Sequence, residues 1–179
     1  MSFLAFFGVL PSHAIEVGAA APNITAVDQD GATVTFADTY KKGVTLVYFY
    51  PKAGTSGCTK EACSLRDSFP TLRARGLQIL GVSEDQQDAQ KKFQDQYHLP
   101  FTLIADHDGS VAKAFGVPTT MGFAKRQSFL VQDGKIVWAD LNASTSKQAA
   151  DVSAALDKLE KTSAAAAPQP PGDLHVTSQ

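Results

Sequence analysis

Cysteine is scarce in this sequence, since only Cys58 and Cys63 occur among its 179 residues. A structural disulfide stabilises most when it closes a long loop, and this pair would close a very short one. A structural zinc site normally takes four Cys or His ligands at short paired spacings. The four histidines are scattered and lie near neither cysteine. Thiol chemistry is therefore a better explanation of the pair than stapling or zinc binding.

Long apolar runs and basic clusters are also missing. Without about 18 consecutive apolar residues, no integral membrane span is expected. The net charge is −2, and no basic cluster with interleaved aromatic residues occurs, so nucleic acid is not an expected partner. The Asp-x-Asp-Gly turns at Asp28 and Asp106 do not continue into a calcium loop. What remains is a normal globular composition for one domain.

The two ends of the chain differ from its middle. Phe3 to Leu10 is a short apolar run, and Ser12-His13-Ala14 provides small residues suited to signal peptidase, although a positively charged start is missing. We expect residues 1–14 to be a signal peptide or an apolar N-terminal extension. A signal would place the protein in a bacterial periplasm or envelope, and otherwise it is cytoplasmic. Residues 162–179 are rich in Ala, Pro and Ser and are expected to be disordered, which leaves a domain at 15–161.

Strands and helices alternate along this domain. Val44–Tyr50 is β-branched and aromatic, which predicts a strand buried on both faces and ended by Pro51. The other expected elements are strands near 33–36, 77–83 and 101–105, helices at 58–69, 86–97, 110–115 and 147–160, and a hairpin of 126–131 with 135–139. Pro70 is expected to restart or kink the first helix, which then continues over 71–75 and ends at Gly76. The order predicts an α/β, thioredoxin-like fold. It has a mixed central sheet flanked by helices and an N-terminal β-hairpin addition.

Cys58 follows a strand and a glycine-containing loop, and it begins a helix. Unpaired N–H groups at a helix start stabilise a thiolate. A thiolate attacks electrophiles such as a peroxide oxygen and becomes a sulfenic acid. The Thr55 hydroxyl and loop amides can stabilise the oxygen that leaves, and Pro51 would shield the thiolate. Glu61 is interpreted as a charge in the first helical turn with no catalytic role.

Cys63 is the natural thiol to resolve a Cys58 sulfenic acid, but an intact helix keeps the two apart. Five residues of helix give roughly 8–9 Å between Cα atoms, whereas a disulfide needs less than about 7 Å. We therefore predict that the first turns of the helix unwind on oxidation.

The segment from Tyr48 to Cys63 reads Tyr-Phe-Tyr-Pro-Lys, then Thr-x-x-Cys-Thr-Lys-Glu-Ala-Cys. It resembles the peroxiredoxins, and specifically the bacterioferritin comigratory protein or peroxiredoxin Q subgroup. The resemblance runs from about Val17 to Leu159. It implies a thioredoxin-like fold and thiol-dependent reduction of peroxides without a cofactor or metal. It also implies regeneration by thioredoxin or another dithiol, and a monomer or weak homodimer.

Matching positions give each residue an implied role. Cys58 is the peroxidatic cysteine and Cys63 the resolving one, Pro51 and Thr55 form the active-site loop, and Arg126 holds the thiolate and the peroxide. The loop 53–57, Ala-Gly-Thr-Ser-Gly, departs from the subgroup's usual Asp-Phe/Asn-Thr-Pro-Gly. The stretch before Arg126 is also altered, and both departures bear on the preference among peroxides rather than on the reaction itself.

Three other functions compete with a peroxidase. A copper-binding thioredoxin-fold protein usually has Cys-x-x-x-Cys and a downstream histidine ligand. A protein disulfide oxidoreductase would have Cys-x-x-Cys. A peroxide sensor or holdase would use the same oxidation to alter partner binding, and it would react once, whereas a peroxidase cycles with a reductant. The spacing of the cysteines and Thr55 argue against the first two.

Overall fold

The structure is a computed structural model that describes residues 15–166. The expectations for residues 1–14 and for 167–179 therefore lie outside the described residues. The strands are β1 (Thr25–Val27), β2 (Thr33–Thr35), β3 (Thr45–Phe49), β4 (Gln78–Ser83), β5 (Thr102–Ala105), β6 (Thr119–Thr120), β7 (Phe123–Ala124), β8 (Gln127–Gln132) and β9 (Lys135–Asp140). The helices are α1 (Phe36–Tyr40), α2 (Ser56–Ala74), α3 (Gln87–Tyr97), α4 (Ser110–Ala114) and α5 (Gln148–Ala166).

Five strands form one mixed sheet in the order β5-β4-β3-β8-β9. β4 pairs in parallel with both β3 and β5, while β8 runs antiparallel to β3 and β9. The predicted mixed sheet with a terminal hairpin is confirmed, as is the N-terminal hairpin of β1 and β2. All five residues of β3 are buried, which confirms its central position.

Apolar layers cover both faces of this sheet because successive strand residues point to opposite sides. Leu46, Tyr48 and Tyr50 pack with residues of α2, α3 and α5. Val47 and Phe49 pack on the other face with residues of α1 and α4. Cys58 belongs to the first of these apolar clusters, so the candidate nucleophile lies against the core.

Two helices differ from the sequence prediction, since α2 is one helix where a restart or kink at Pro70 was expected, and α5 is longer than expected. α2 continues through Pro70 to Ala74, although proline removes a helical hydrogen bond. Leu72 in the last turn is fully buried, and its packing offsets that loss. α5 continues to Ala166, so the expected disorder is wrong for 162–166. The short α1 and the β6–β7 hairpin were not predicted.

Within residues 15–166, no helix combines the length and apolar character that crossing a membrane requires.

Candidate active site

Cys58 is the third residue of α2, close to the carboxyl end of β3. Its side chain is only 2% exposed. The loop between β3 and α2 turns sharply at Gly54, whose φ of 75° is one that glycine adopts without strain. As the third helical residue, Cys58 lies among the N–H groups that have no partner within the helix. The predicted position at a helix start is confirmed.

Arg126 reaches Cys58 because of the sheet topology. It directly precedes β8, and the register of the antiparallel pair places Gln127 opposite Phe49 at the end of β3. The guanidinium Nη2 lies 3.2 Å from the Cys58 Sγ. A cation and the helix start thus both favour a negative charge on this sulfur.

Glu61 completes the group, and its position corrects the interpretation of this residue as a charge in the first helical turn, since α2 begins at Ser56 and has no acidic residue in its first turn. It lies one turn after Cys58, its side chain is 0% exposed, and its Oε2 accepts a hydrogen bond from Arg126 Nη1. Burial raises the pKa of Glu61 to about 8, although the Arg126 guanidinium acts in the opposite direction. Arg126 is therefore hydrogen-bonded to Glu61 through Nη1, while its Nη2 faces the Cys58 thiol.

Arg126 stays cationic in this setting. Burial acts to lower the pKa of Arg126, but Glu61 and Cys58 outweigh burial and the pKa is raised. A guanidinium with one nitrogen anchored has little freedom to rotate away, so its second nitrogen is a fixed donor beside the sulfur.

Pro51 and Thr55 both lie in the β3–α2 loop, as expected, but the Thr55 hydroxyl bonds to Lys52 and makes no hydrogen bond to Cys58. Its hydroxyl donates to the Lys52 carbonyl oxygen at 2.9 Å, and its own carbonyl accepts from the Thr59 N–H. The Thr55 side chain is exposed. In this state it shapes the loop, and a donor role toward a peroxide would require its hydroxyl to rotate.

Cys63 lies in the same unbroken helix, and neither cysteine is in a disulfide. Cys63 is half-buried, in contrast to Cys58. A continuous helix between them keeps the Cα separation at roughly 8–9 Å. The structure thus brings Cys58, Arg126 and Glu61 together but leaves Cys63 outside bonding reach.

Two further segments lie beside the site: the loop before α5, which the sequence did not single out, and the β6–β7 hairpin, which is the altered stretch before Arg126. A Cβ added at Gly57 would lie 3.4 Å from Thr145 Cγ2 and 3.7 Å from Arg126 Nη2, so the loop before α5 closes one side. On the β6–β7 hairpin, the Phe123 ring lies 5.5 Å from Lys52 Nζ and is 42% exposed.

A separate cavity of about 590 Å³ lies at the opposite end of the sheet, next to Tyr40, Gly76 and Asp133. It contains neither cysteine. The candidate nucleophile and this cavity therefore lie at opposite ends of the sheet.

The arrangement can hold a thiolate in a pocket that excludes bulk water, with one fixed cationic donor beside it. It can also stabilise an oxygen that gains negative charge near the sulfur. These are the requirements for attack on a peroxide.

The residues Val17 to Ala139 match the model of a protein family described as AhpC/TSA. The chain belongs to the AhpC/TSA family. The resemblance to peroxiredoxins of the bacterioferritin comigratory protein and Q subgroup is thereby confirmed.

Two relatives show how far the family likeness extends. The chain is 39% identical over 132 residues to a putative peroxiredoxin bcp of Coxiella burnetii, covering 70% of this chain and 87% of that one. It is 38% identical over 125 residues to the chloroplastic peroxiredoxin Q of Oryza sativa subsp. japonica, covering 69% and 57%. The chain thus spans little more than half the length of the rice relative.

Solved structures confirm the thioredoxin-like peroxiredoxin fold. The peroxidoxin BcpB of Mycobacterium tuberculosis superposes with a TM-score of 0.77 at 28% identity, covering 81% of this chain and 98% of that one. A peroxiredoxin Q structure from Xanthomonas campestris gives 0.73 at 28% identity, covering 82% and 98%.

Proposed function

We propose that this family member is a thiol-dependent peroxidase with Cys58 as its nucleophile. The observation that carries the proposal is the 3.2 Å contact between Arg126 Nη2 and the buried Cys58 Sγ at the start of α2. A buried structural thiol has no need of a cationic partner, since a neutral thiol behaves as a small apolar group.

In the first step, the Cys58 thiolate attacks the terminal oxygen of a hydroperoxide. An S–O bond forms, the O–O bond breaks, and the sulfur is oxidised to a sulfenic acid. The leaving oxygen takes a proton and departs as water or an alcohol, so two electrons pass from sulfur to the peroxide. Arg126 stabilises the charge that develops on the two oxygens.

In the second step, the Cys63 thiolate attacks the Cys58 sulfenic sulfur. The S–S bond forms and the hydroxyl leaves as water after protonation. Because α2 is continuous across both residues, the helix has to unwind over its first turns before the sulfurs can meet. The Cys58–Cys63 disulfide then stores the oxidising equivalents.

In the third step, an external dithiol reduces the disulfide and is itself oxidised to a disulfide. Thioredoxin is the expected donor for a cytoplasmic protein. If residues 1–14 are a signal peptide, an envelope dithiol replaces it. N-terminal sequencing of the mature protein distinguishes these two locations.

The substrates are hydrogen peroxide and organic hydroperoxides. Alkyl peroxide reduction is the activity named for the bacterioferritin comigratory protein of Xanthomonas campestris, one of the similar solved structures. In the present chain, Phe123 and Met121 are exposed on the hairpin that reaches Lys52 of the active-site loop. This apolar rim supports acceptance of an alkyl group.

The test is peroxide turnover with a thioredoxin system, using wild type, Cys58→Ser and Cys63→Ser. We expect Cys58→Ser to abolish turnover. Cys63→Ser should consume one equivalent of peroxide and then stop unless a small thiol is added. Full turnover by Cys58→Ser would overturn the assignment, and a single oxidation without cycling in wild type would favour a sensor.

A further inference from the structure

Residues 51–55, in the loop between β3 and α2, are hydrogen-bonded to the rest of the described fold through one carboxylate. Asp85 Oδ2 accepts a hydrogen bond from the Ala53 N–H at 2.7 Å. Within residues 15–166, this is the one hydrogen bond that joins loop residues 51–55 to a part of the fold other than the adjoining β3 and α2. The Thr55 hydroxyl bonds back to the loop itself.

The position of Asp85 follows from the parallel pairing of β3 with β4. The carboxyl ends of parallel strands meet at the same edge of a sheet, and Asp85 follows β4 as the loop follows β3. A short chain of polar groups fixes the carboxylate. The same Oδ2 accepts from the Ser83 hydroxyl at 2.8 Å, and Ser83 Oγ accepts from Gln90 Nε2 at 2.8 Å.

Gln90 anchors this chain in the core. Its side chain is 0% exposed, its Nε2 also donates to the Ile104 carbonyl at 2.8 Å, and its Oε1 accepts from the Tyr50 hydroxyl. Tyr50 directly precedes Pro51. The loop is therefore held at Tyr50 and at Ala53 by one connected network, and Asp85 is the member that binds the loop backbone.

We propose that Asp85 is a positioning residue that sets the balance between the folded loop, which reacts with peroxide, and the unwound segment, which forms the disulfide. The inference rests on the proposed function of Cys58 and Cys63. A loop tied at Ala53 favours the helical start that places Cys58 beside Arg126. Loss of the hydrogen bond between the Ala53 N–H and Asp85 lowers the free-energy cost of unwinding residues 56–63.

Two competing reactions of the Cys58 sulfenic acid make this balance measurable. A second peroxide molecule adds oxygen to give a sulfinic acid, with the peroxide reduced to water or an alcohol. That reaction uses the folded pocket, because Arg126 is there. Attack by Cys63 uses the unwound segment. The rate of disulfide formation divided by the rate of sulfinic acid formation therefore reports the balance between the unwound and the folded segment.

The experiment compares wild type with Asp85→Ala, Asp85→Asn and Asp88→Ala. Asp88→Ala removes the same charge from an exposed position whose nearest cation is Lys92 at 3.6 Å, so it serves as the matched control. Disulfide formation is followed by rapid quench with alkylation of free thiols. Sulfinic acid is measured by intact mass over a series of peroxide concentrations.

For Asp85→Ala we expect disulfide formation to be faster by about tenfold or more, because the variant lacks one hydrogen bond to a charged group. The peroxide concentration that gives half-maximal sulfinic acid rises by a similar factor, while the rate of the first peroxide reaction does not rise. Asp85→Asn keeps one acceptor oxygen and shifts the ratio less. Asp88→Ala leaves it unchanged.

A merely structural role would lower both rates together and leave their ratio unchanged, and that result would overturn the inference. So would an equal shift in Asp88→Ala. If Asp85→Ala does not fold, Asp85→Asn is the deciding variant, since it must still raise the ratio of disulfide formation to sulfinic acid formation. Peroxide turnover by Cys58→Ser would instead refute the proposed function, which keeps the two failures distinct.

Discussion

Replacement of Glu61 by glutamine tests whether burial or ion pairing controls this carboxyl group. Glu61 is fully buried, and its pKa is raised from the ordinary 4.5 to about 8. The two values differ by roughly 3.5, and each unit corresponds to about 1.4 kcal/mol. Keeping the carboxylate ionised in the fold therefore costs on the order of 4–5 kcal/mol relative to the unfolded chain.

The sign of the pH dependence follows from this difference. The pKa is higher in the folded state, so the contribution of Glu61 to stability is fully present below about pH 4.5. It is lost as the pH rises through about 8. Glu61→Gln does not ionise, so the free energy of unfolding of wild type should fall relative to that of the variant across this window. The slope should reach up to about 1.4 kcal/mol per pH unit.

The assay is urea unfolding of both proteins at several pH values from 5 to 8.5. Both carry Cys58→Ser and Cys63→Ser, so that neither thiol titration nor oxidation contributes. The reasoning would be refuted if the stability of wild type relative to Glu61→Gln stayed constant or rose with pH, because Arg126 would then keep Glu61 ionised against the effect of burial.

Activity gives an independent readout in the enzyme with both cysteines. Glutamine retains an oxygen that accepts from Arg126, so the rate with peroxide should fall less than tenfold. Glu61→Ala removes the anchor, and the loss of a bond to a charged group predicts about a tenfold or larger fall.

Two glycine substitutions make further predictions. Gly57 is a helical residue of α2, and Gly57→Ala should make unwinding more costly by about 0.5–1 kcal/mol, which slows disulfide formation about two- to fivefold in the rapid-quench assay. An accelerated reaction would contradict the unwinding step. Gly81→Ala would place a Cβ 2.7 Å from the Tyr48 hydroxyl and 2.8 Å from Leu103 Cδ2. We expect a loss of about 1–3 kcal/mol in urea unfolding, and a change below about 0.5 kcal/mol would show that the core adapts.

Much of the fold was predictable because local patterns and topology agree. The continuous apolar run of β3 and the Asp133-Gly134 turn each predict their element. The helix bounds were less predictable. Pro70 is a helix breaker in isolation, whereas the burial of Leu72 and the hydrogen bonds from Arg75 to α5 support the last turn of α2.

The candidate site was predictable where spacing along the chain determines position. Cys58 at the helix start follows from the loop and the strand before it. Glu61 was missed because the helix dipole alone explained its charge, although three residues of helix place it on the same face as Cys58. Asp85 was missed because its contact depends on which strands pair. The adjacency of β3 and β4 would have pointed to it.

The continuous helix between Cys58 and Cys63 has a consequence for the energy of the disulfide. If oxidation requires the first turns of α2 to come apart, then the folding free energy of those turns opposes the S–S bond and assists its reduction. For a two-electron couple, each 1.4 kcal/mol of helix stability lost on oxidation raises the reduction potential by about 30 mV. Oxidation by peroxide therefore costs the folding free energy of these turns, and reduction by the dithiol donor recovers it. Residues far from either sulfur that stabilise α2 should therefore affect how readily the Cys58–Cys63 disulfide is reduced.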